Sequence, residues 1–175
     1  MNPEFSELLR CFALTEVRYL IVGGYAVIHY SQPRETKDLD LWLEPTPVNA
    51  GRITAAFRQS RILQGIPGFL VLPDVRDGRT TVRGVPLEGI VDEDLVHPNR
   101  EFFLGQSPCM FDFLTSVADL EFAPCWSRRN TVICEFGDVH YLGLEDLRIT
   151  KRYSGRTEDF ADLAALEPAK AATSQ

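Results

Sequence analysis

Hydrophobic positions near the N-terminus fall at Phe5, Leu8, Leu9 and Phe12, the i, i+3, i+4, i+7 spacing of a helix with one apolar face. Next, "RYLIVGG" predicts a short buried strand over Tyr19 to Val22, stopped by glycines that permit positive φ or a close backbone approach. "YAVIHY" predicts the first turns of a helix that Pro33 ends, and Arg34 to Lys37 make a polar loop. In "DLDLWLEP" carboxylate and leucine alternate with the period of a strand, which Pro45 closes. Ile53, Ala56 and Phe57 predict a helix over Val48 to Arg61. From Gly65 to Arg100 the chain is rich in Gly, Pro and Asp with short β-like runs, and its pattern assigns no element.

Further along, "CMFDFLTSV" reads as a strand, and "NTVICEFGDVHYL" as a hairpin turning near Gly137 and Asp138. "LEDLRITKRY" and "TEDFADLAALE" read as two helices separated by Ser154 and Gly155, with Phe160, Leu163 and Ala164 on one face of the second. The tail after Pro168 is small and polar, which predicts fraying. There is no internal repeat and no linker, so the expectation is one domain over residues 1–168 and a frayed tail over 169–175. Strands interleaved with helices predict an α/β (α+β) fold: a mixed, twisted sheet flanked by helices.

Composition narrows the function classes. The 175 residues, 45% of them hydrophobic, suffice for one core. The longest apolar run, Tyr19 to Ile28, is too short to span a membrane, and Glu4, Glu7 and Arg10 stand where an export signal would be apolar. The expected protein is soluble, cytoplasmic and without a membrane partner. A net charge of −7 argues against a broad basic surface for nucleic acid, while leaving room for a local basic patch. Cys11, Cys109, Cys125 and Cys134 form no CxxC pair, and His29, His97 and His140 are too scattered for a local zinc motif. Reduced, mostly buried thiols are expected.

The acids carry the chemistry. On a strand, Asp38 and Asp40 share one face about 7 Å apart, while Leu39, Leu41 and Leu43 share the other. Two carboxylates on a partly buried face need a cation or basic partners. Asp112, between Phe111 and Phe113, turns away from the face that buries the rings, so it joins the other acids if the two strands are neighbours. Three oxygen donors without histidine or thiolate suit Mg²⁺ or Mn²⁺, a ligand set known in phosphoryl transfer. Gly23 and Gly24, at a strand-to-helix turn, can offer backbone N–H groups to phosphate, although neither a Walker loop nor GxGxxG is present.

Taken in order, "GGYAVIHY", "RETKDLDLWL", "FDFLTSV" and "DLRITKRYSGRTEDFADLAALE" resemble the minimal nucleotidyltransferases of the polymerase-beta-like superfamily, and within it are similar to the AbiEii-type abortive-infection toxins. The resemblance implies that Gly23 and Gly24 cradle the nucleotide phosphates, that Asp38 and Asp40 hold two Mg²⁺ (or Mn²⁺) ions, and that Asp112 completes one metal site and helps activate the acceptor hydroxyl. It implies that Lys151 faces the triphosphate of an NTP. The chain departs from the family pattern at Tyr25, where many members carry Ser or Thr, and at Tyr30 and Ser31, where close relatives often carry Gly.

Arg34 and Thr36, just upstream of the acids, are placed to reach phosphate or a base edge. Arg148, Lys151, Arg152 and Arg156 read either as triphosphate or RNA ligands or as charges favoured at a helix C-terminus. Asp159 is a candidate to orient one of them through an ion pair. His29 is expected to be packed or solvated, and Trp42 and Trp126 to be structural. The expected reaction is Mg²⁺-dependent transfer of an NMP from an NTP to an acceptor hydroxyl. The acceptor stays open among tRNA, a protein and a small molecule, and a toxin–antitoxin component, with an antitoxin as partner, is one form of this expectation. Two alternatives stand beside it: a catalytically silent binding partner of the same fold, and an aminoglycoside-type small-molecule nucleotidyltransferase. Oligomeric state is not set by the sequence.

Overall fold

Phe5, Leu8, Leu9, Cys11 and Phe12 form the buried face of α1 (Pro3–Leu14) in a computed structural model that describes residues 3–60, 67–73, 80–86, 90, 92–106 and 109–167. β1 (Tyr19–Ile21), α2 (Gly23–Tyr30), β2 (Asp38–Leu43) and α3 (Pro47–Gln59) follow where the pattern places them. Thr46 caps α3 by accepting a hydrogen bond from the Asn49 N–H, and Pro47 fills the first turn. The stretch that the pattern left unassigned contributes β3 (Pro67–Pro73), β4 (Thr80–Pro86) and α4 (Asp92–Val96). Then come β5 (Glu101–Gln106), β6 (Cys109–Leu114), α5 (Phe122–Ser127), β7 (Asn130–Cys134), β8 (Gly137–Tyr141), α6 (Leu144–Ser154) and α7 (Thr157–Leu166). The predicted frayed tail, 169–175, lies outside the described residues.

The described strands make one eight-stranded sheet in the order β4-β3-β5-β6-β2-β1-β8-β7. It is mixed: β2 runs parallel to β6 and β1 to β8, and the other neighbours are antiparallel. This is the expected mixed sheet flanked by helices. No described helix is long and apolar enough to cross a membrane.

Alternation along the central strands sorts their side chains between two faces. Leu39, Leu41 and Leu43 of β2, Phe111 and Phe113 of β6, and Phe102 and Leu104 of β5 are buried on one face. α1 and α3 cover it: Phe5 meets Phe111 edge-on at 5.1 Å, and Phe57 meets Phe113 at 5.2 Å. The other face carries Asp38, Asp40 and Asp112, none of them fully buried. Trp42 extends that face under α5, its ring edge-on to Phe122 at 5.2 Å, in the structural role expected of it.

Two expectations need correction. The β7–β8 hairpin turns at Glu135 and Phe136 rather than at Gly137 and Asp138. Gly137, at φ +128°, opens β8, and a Cβ there would meet the Ala13 Cβ at 2.5 Å, so this glycine marks a close approach of α1. On α7 the inward face is Asp159, Asp162 and Leu166, while Phe160 is 64% exposed and Ala164 is exposed too. Both stripes have helical spacing; the acidic one turns inward because α7 packs against cations.

The two phenylalanines should therefore separate on mutation. Phe113→Ala, which empties a wholly buried site, should cost roughly 3–5 kcal/mol in chemical denaturation. Phe160→Ser should stay within about 0.5 kcal/mol of the parent. Equal losses would return Phe160 to the core.

Candidate functional site

The parallel pairing of β2 with β6 sets Asp40 directly beside Asp112, with Asp38 beside Met110 two residues earlier on the same face. The neighbour relation on which the sequence argument depended thus holds. Among the described residues, no three His, Cys, Asp or Glu side chains already converge on one point as a ready-made metal cage. What the three acids share is a sheet face, a register and mutual repulsion. Burial, and then the charge of Asp38, push the Asp40 carboxyl up to about 6, against the pull of the Gly24 backbone N–H, Lys151 and Arg156. Burial, and then Asp40, Asp38 and Glu101, push Asp112 up to about 7. One oxygen each of Asp38 and Asp112 is buried with no hydrogen-bond partner.

Those orphaned oxygens and the like-charge crowding test the metal expectation. A hard divalent cation satisfies both at once, because it prefers oxygen donors and reverses the electrostatic penalty. Asp38, Asp40 and Asp112 fit Mg²⁺ or Mn²⁺ in donor chemistry.

Gly23 and Gly24 sit against these acids. Gly23 has φ +56°, and a Cβ there would lie 2.0 Å from Asp40 Oδ2; one on Gly24 would lie 2.5 Å from Thr36 Oγ1 and 3.2 Å from Arg34 Nη2. The glycines let the start of α2 press onto β2 and the preceding loop. The Gly24 N–H, expected to serve phosphate, is engaged by the Asp40 carboxylate.

Two adjoining lobes open on this face. The first, of about 410 Å³, is lined by Gly23, Gly24, Asp38, Asp40 and Asp112 together with Arg34, Thr36, Lys37, Lys151 and Arg156, with Glu35 and Glu158 among the cations. Asp38, Asp40, Asp112, Gly23, Gly24, Arg34, Thr36 and Lys151, the residues expected to hold metal or nucleotide, therefore line one lobe. The second, of about 470 Å³, shares Gly23, Asp40, Lys151 and Arg156 with the first; Val22, Leu114 and Val117 add a short apolar wall, and Glu101, Ser116, Thr150, Tyr153, Ser154 and Asp159 make the rest of its lining polar. Thr115 pins the loop that forms its rim, donating to the His97 carbonyl at 2.7 Å and accepting from the Arg100 N–H at 2.9 Å.

The basic segment divides. Lys151, far from reaching into solvent, is 8% exposed and lies 2.8 Å from both Asp159 and Asp162. Burial raises the Asp159 carboxyl, but hydrogen bonds from Lys151, Ser154 and the Arg156 N–H outweigh it and hold the group below its ordinary value. Arg156 lines both lobes. Arg148 turns elsewhere, to Glu145 and to the Leu166 carbonyl, and Arg152 is exposed and lines neither lobe. His29 stacks on Tyr141 at 4.0 Å and bonds Asn130, a packed histidine as expected.

Sequence reasoning missed Glu101, Tyr153 and Asp162. Asp162 had a signal, its i, i+3 spacing from Asp159, which the apolar stripe of the same helix obscured. Glu101 and Tyr153 had none, since only the β5–β6 register and the turn of α6 bring them to the site.

No family model matches the sequence, and no curated protein matches it. Among solved structures the chain is similar to the lincosamide antibiotic adenylyltransferase LnuA in its lincomycin-bound form. The TM-score is 0.54 at 13% identity, over 95% of this chain and 96% of that one. The shared property is the nucleotidyltransferase fold.

The upward shifts of Asp40 and Asp112 have a consequence for stability. An unfolded aspartate titrates near 4, so the folded chain keeps these protons to higher pH than the unfolded chain does. The stabilisation they contribute is complete below pH 4 and is lost as pH rises through about 6 and 7. In chelator, Asp112→Asn should therefore unfold at higher urea than the parent at pH 8, with a smaller gap at pH 5. Parallel pH profiles for the two proteins would contradict the crowding.

Proposed function

We propose that the protein is a nucleotidyltransferase that moves an NMP from an NTP onto a hydroxyl of a small-molecule acceptor. The observation that carries this reading is the registered pair Asp40 and Asp112, with Asp38 on the same face, opening on a lobe lined by Arg34, Lys37, Lys151 and Arg156. Asp38, Asp40 and Asp112 would hold Mg²⁺ or Mn²⁺, which when bound neutralises charge on the phosphate oxygens. Lys151, Arg156 and Arg34 would bind the triphosphate, with Thr36 and the backbone at Gly23 and Gly24 closing on it. Asp112 would accept the proton of the acceptor hydroxyl as its oxygen bonds the α-phosphorus. The α–β phosphoanhydride bond then breaks, and pyrophosphate leaves. No protein nucleophile is required.

A small acceptor is favoured by the second lobe. Its volume of about 470 Å³ is in the range of a small-molecule pocket, and Glu101, Ser116, Thr150, Tyr153 and Ser154 offer polar groups to a hydroxylated acceptor beside a short apolar wall. LnuA, which shares the fold, is named for a lincosamide antibiotic and was solved with lincomycin bound. A net charge of −7 disfavours a long RNA acceptor. tRNA, a partner protein and a toxin–antitoxin role rest on sequence resemblance alone.

Incubation with each α-phosphate-labelled NTP and Mg²⁺, in the presence of cell extract separated into small-molecule, RNA and protein fractions, tests the reading. Label should enter the small-molecule fraction. Label in RNA or protein would overturn the acceptor class, and label nowhere would favour the silent binding partner.

Asp112→Asn should separate binding from transfer. Nucleotide binding draws on phosphate contacts and on Asp38 and Asp40, whereas aligning and deprotonating the acceptor matters in the transition state. The variant should bind Mg·NTP within a few-fold of the parent by calorimetry and transfer no measurable label. Transfer at the parental rate would make the third acid a mere strand residue.

A further inference from the structure

Two cations of the first lobe come from distant parts of the chain, Arg34 from the loop before β2 and Lys151 from α6, and both end on one carboxylate. Arg34 grips Asp162 as a fork, Nε at 2.8 Å from Oδ1 and Nη2 at 2.9 Å from Oδ2. Lys151 lies 2.8 Å from Oδ2 of the same group. Asp162 is 3% exposed, so solvent does not compete for its oxygens. Asp159, equally buried, takes the Lys151 ammonium from a second side at 2.8 Å.

Burying two carboxylates on an amphipathic helix while leaving Phe160 in solvent is the opposite of what α7 would do for stability alone. What the arrangement achieves is orientation. Lysine has three N–H donors and arginine five. Asp159 and Asp162 occupy at most two on Lys151. Asp162 and the Glu35 carbonyl occupy three on Arg34. Each cation keeps donors unspent, and both line the lobe that holds Asp38, Asp40 and Asp112.

We infer that Asp162 is a positioning residue for nucleotide binding: it fixes Arg34 and Lys151 relative to each other so that their remaining donors face bound phosphate together. The inference rests on the nucleotidyl-transfer reading above. Asp162 itself touches no phosphate; it acts through the two cations. Arg34 cannot be replaced by lysine in this role, because a single ammonium cannot grip both oxygens of Asp162 and still offer a planar pair of donors to phosphate.

Calorimetry with Mg·ATP, and with the other three Mg·NTPs in turn, tests it on the parent, Asp162→Asn, Arg34→Gln and the double variant, with circular dichroism as the check on folding. For the best nucleotide each single change should weaken binding about tenfold. The double variant should be no more than about twofold weaker than the worse single one, since both changes break one unit. A merely structural Asp162 would lower the melting temperature without that coupling. Parental affinity in Asp162→Asn, or losses that multiply in the double variant, would overturn the inference while leaving the transfer reading intact. A parent that binds none of the four nucleotides would overturn the reading itself. Should Asp162→Asn fail to fold, Arg34→Lys takes its place: it keeps the charge and loses the fork, and undiminished affinity there would overturn the inference.

Discussion

Three carboxylates on one half-buried sheet face repel one another, with one oxygen each of Asp38 and Asp112 left unpartnered, and much of the molecule is arranged around that tension. Asp40 and Asp112 stand side by side across β2 and β6, and their protons are held to about 6 and about 7 because burial and mutual charge disfavour ionisation. A strand carrying such a load has to be anchored from its other side. Leu39, Leu41 and Leu43, wholly buried with the phenylalanines of α1, α3 and β6, supply that anchor. The same constraint explains Gly23, since any side chain there would collide with Asp40. It also explains why α6 and α7 bring Lys151 and Arg156 to this face, where their charges pull against the upward shift of Asp40.

Much of this was legible in the residues. The period of two in "DLDLWL" sorted acids from leucines before any neighbour was known, because strand geometry alone decides which side chains share a face. The fold class followed from alternating elements. What pattern could not supply was pairing at long range: that β6 lies against β2 with Asp112 opposite Asp40, and that β5 brings Glu101 near them, are facts of sheet order. The two errors have a common physical cause. Gly137 was read as a turn residue and proved to be a packing contact with α1, and the apolar stripe of α7 was read as its core face although the acidic stripe packs inward. In both, a local propensity was overruled by a tertiary partner far away in sequence.

The likeness to LnuA, at 13% identity, is one of fold. A sheet with one face packed and one face open can be preserved by almost any apolar set of the right volume. The open face is not so tolerant. On the proposed reading, the acids, the glycines that clear space for them and the cations opposite serve the nucleotide, while the second lobe, walled by Val22, Leu114, Val117 and Tyr153, selects the acceptor. Fold similarity alone does not carry the substrate from one protein to the other. Beside the strand residues Asp40, Glu101 and Leu114, the lobe takes Val22, Ser116 and Val117 from loops and Tyr153 and Ser154 from the end of α6, parts of a fold that vary freely.

On the proposed reading, the shared face of β2 and β6 is a divalent-cation site. Titrating the protein with Mn²⁺ and following the free ion by electron paramagnetic resonance addresses it without any assumption about acceptor or nucleotide. The parent should bind Mn²⁺, and Asp40→Asn, folded by circular dichroism, should bind it about tenfold more weakly or worse, because it removes ligand charge from the centre of the set. Equal affinity in the two proteins would contradict the claim.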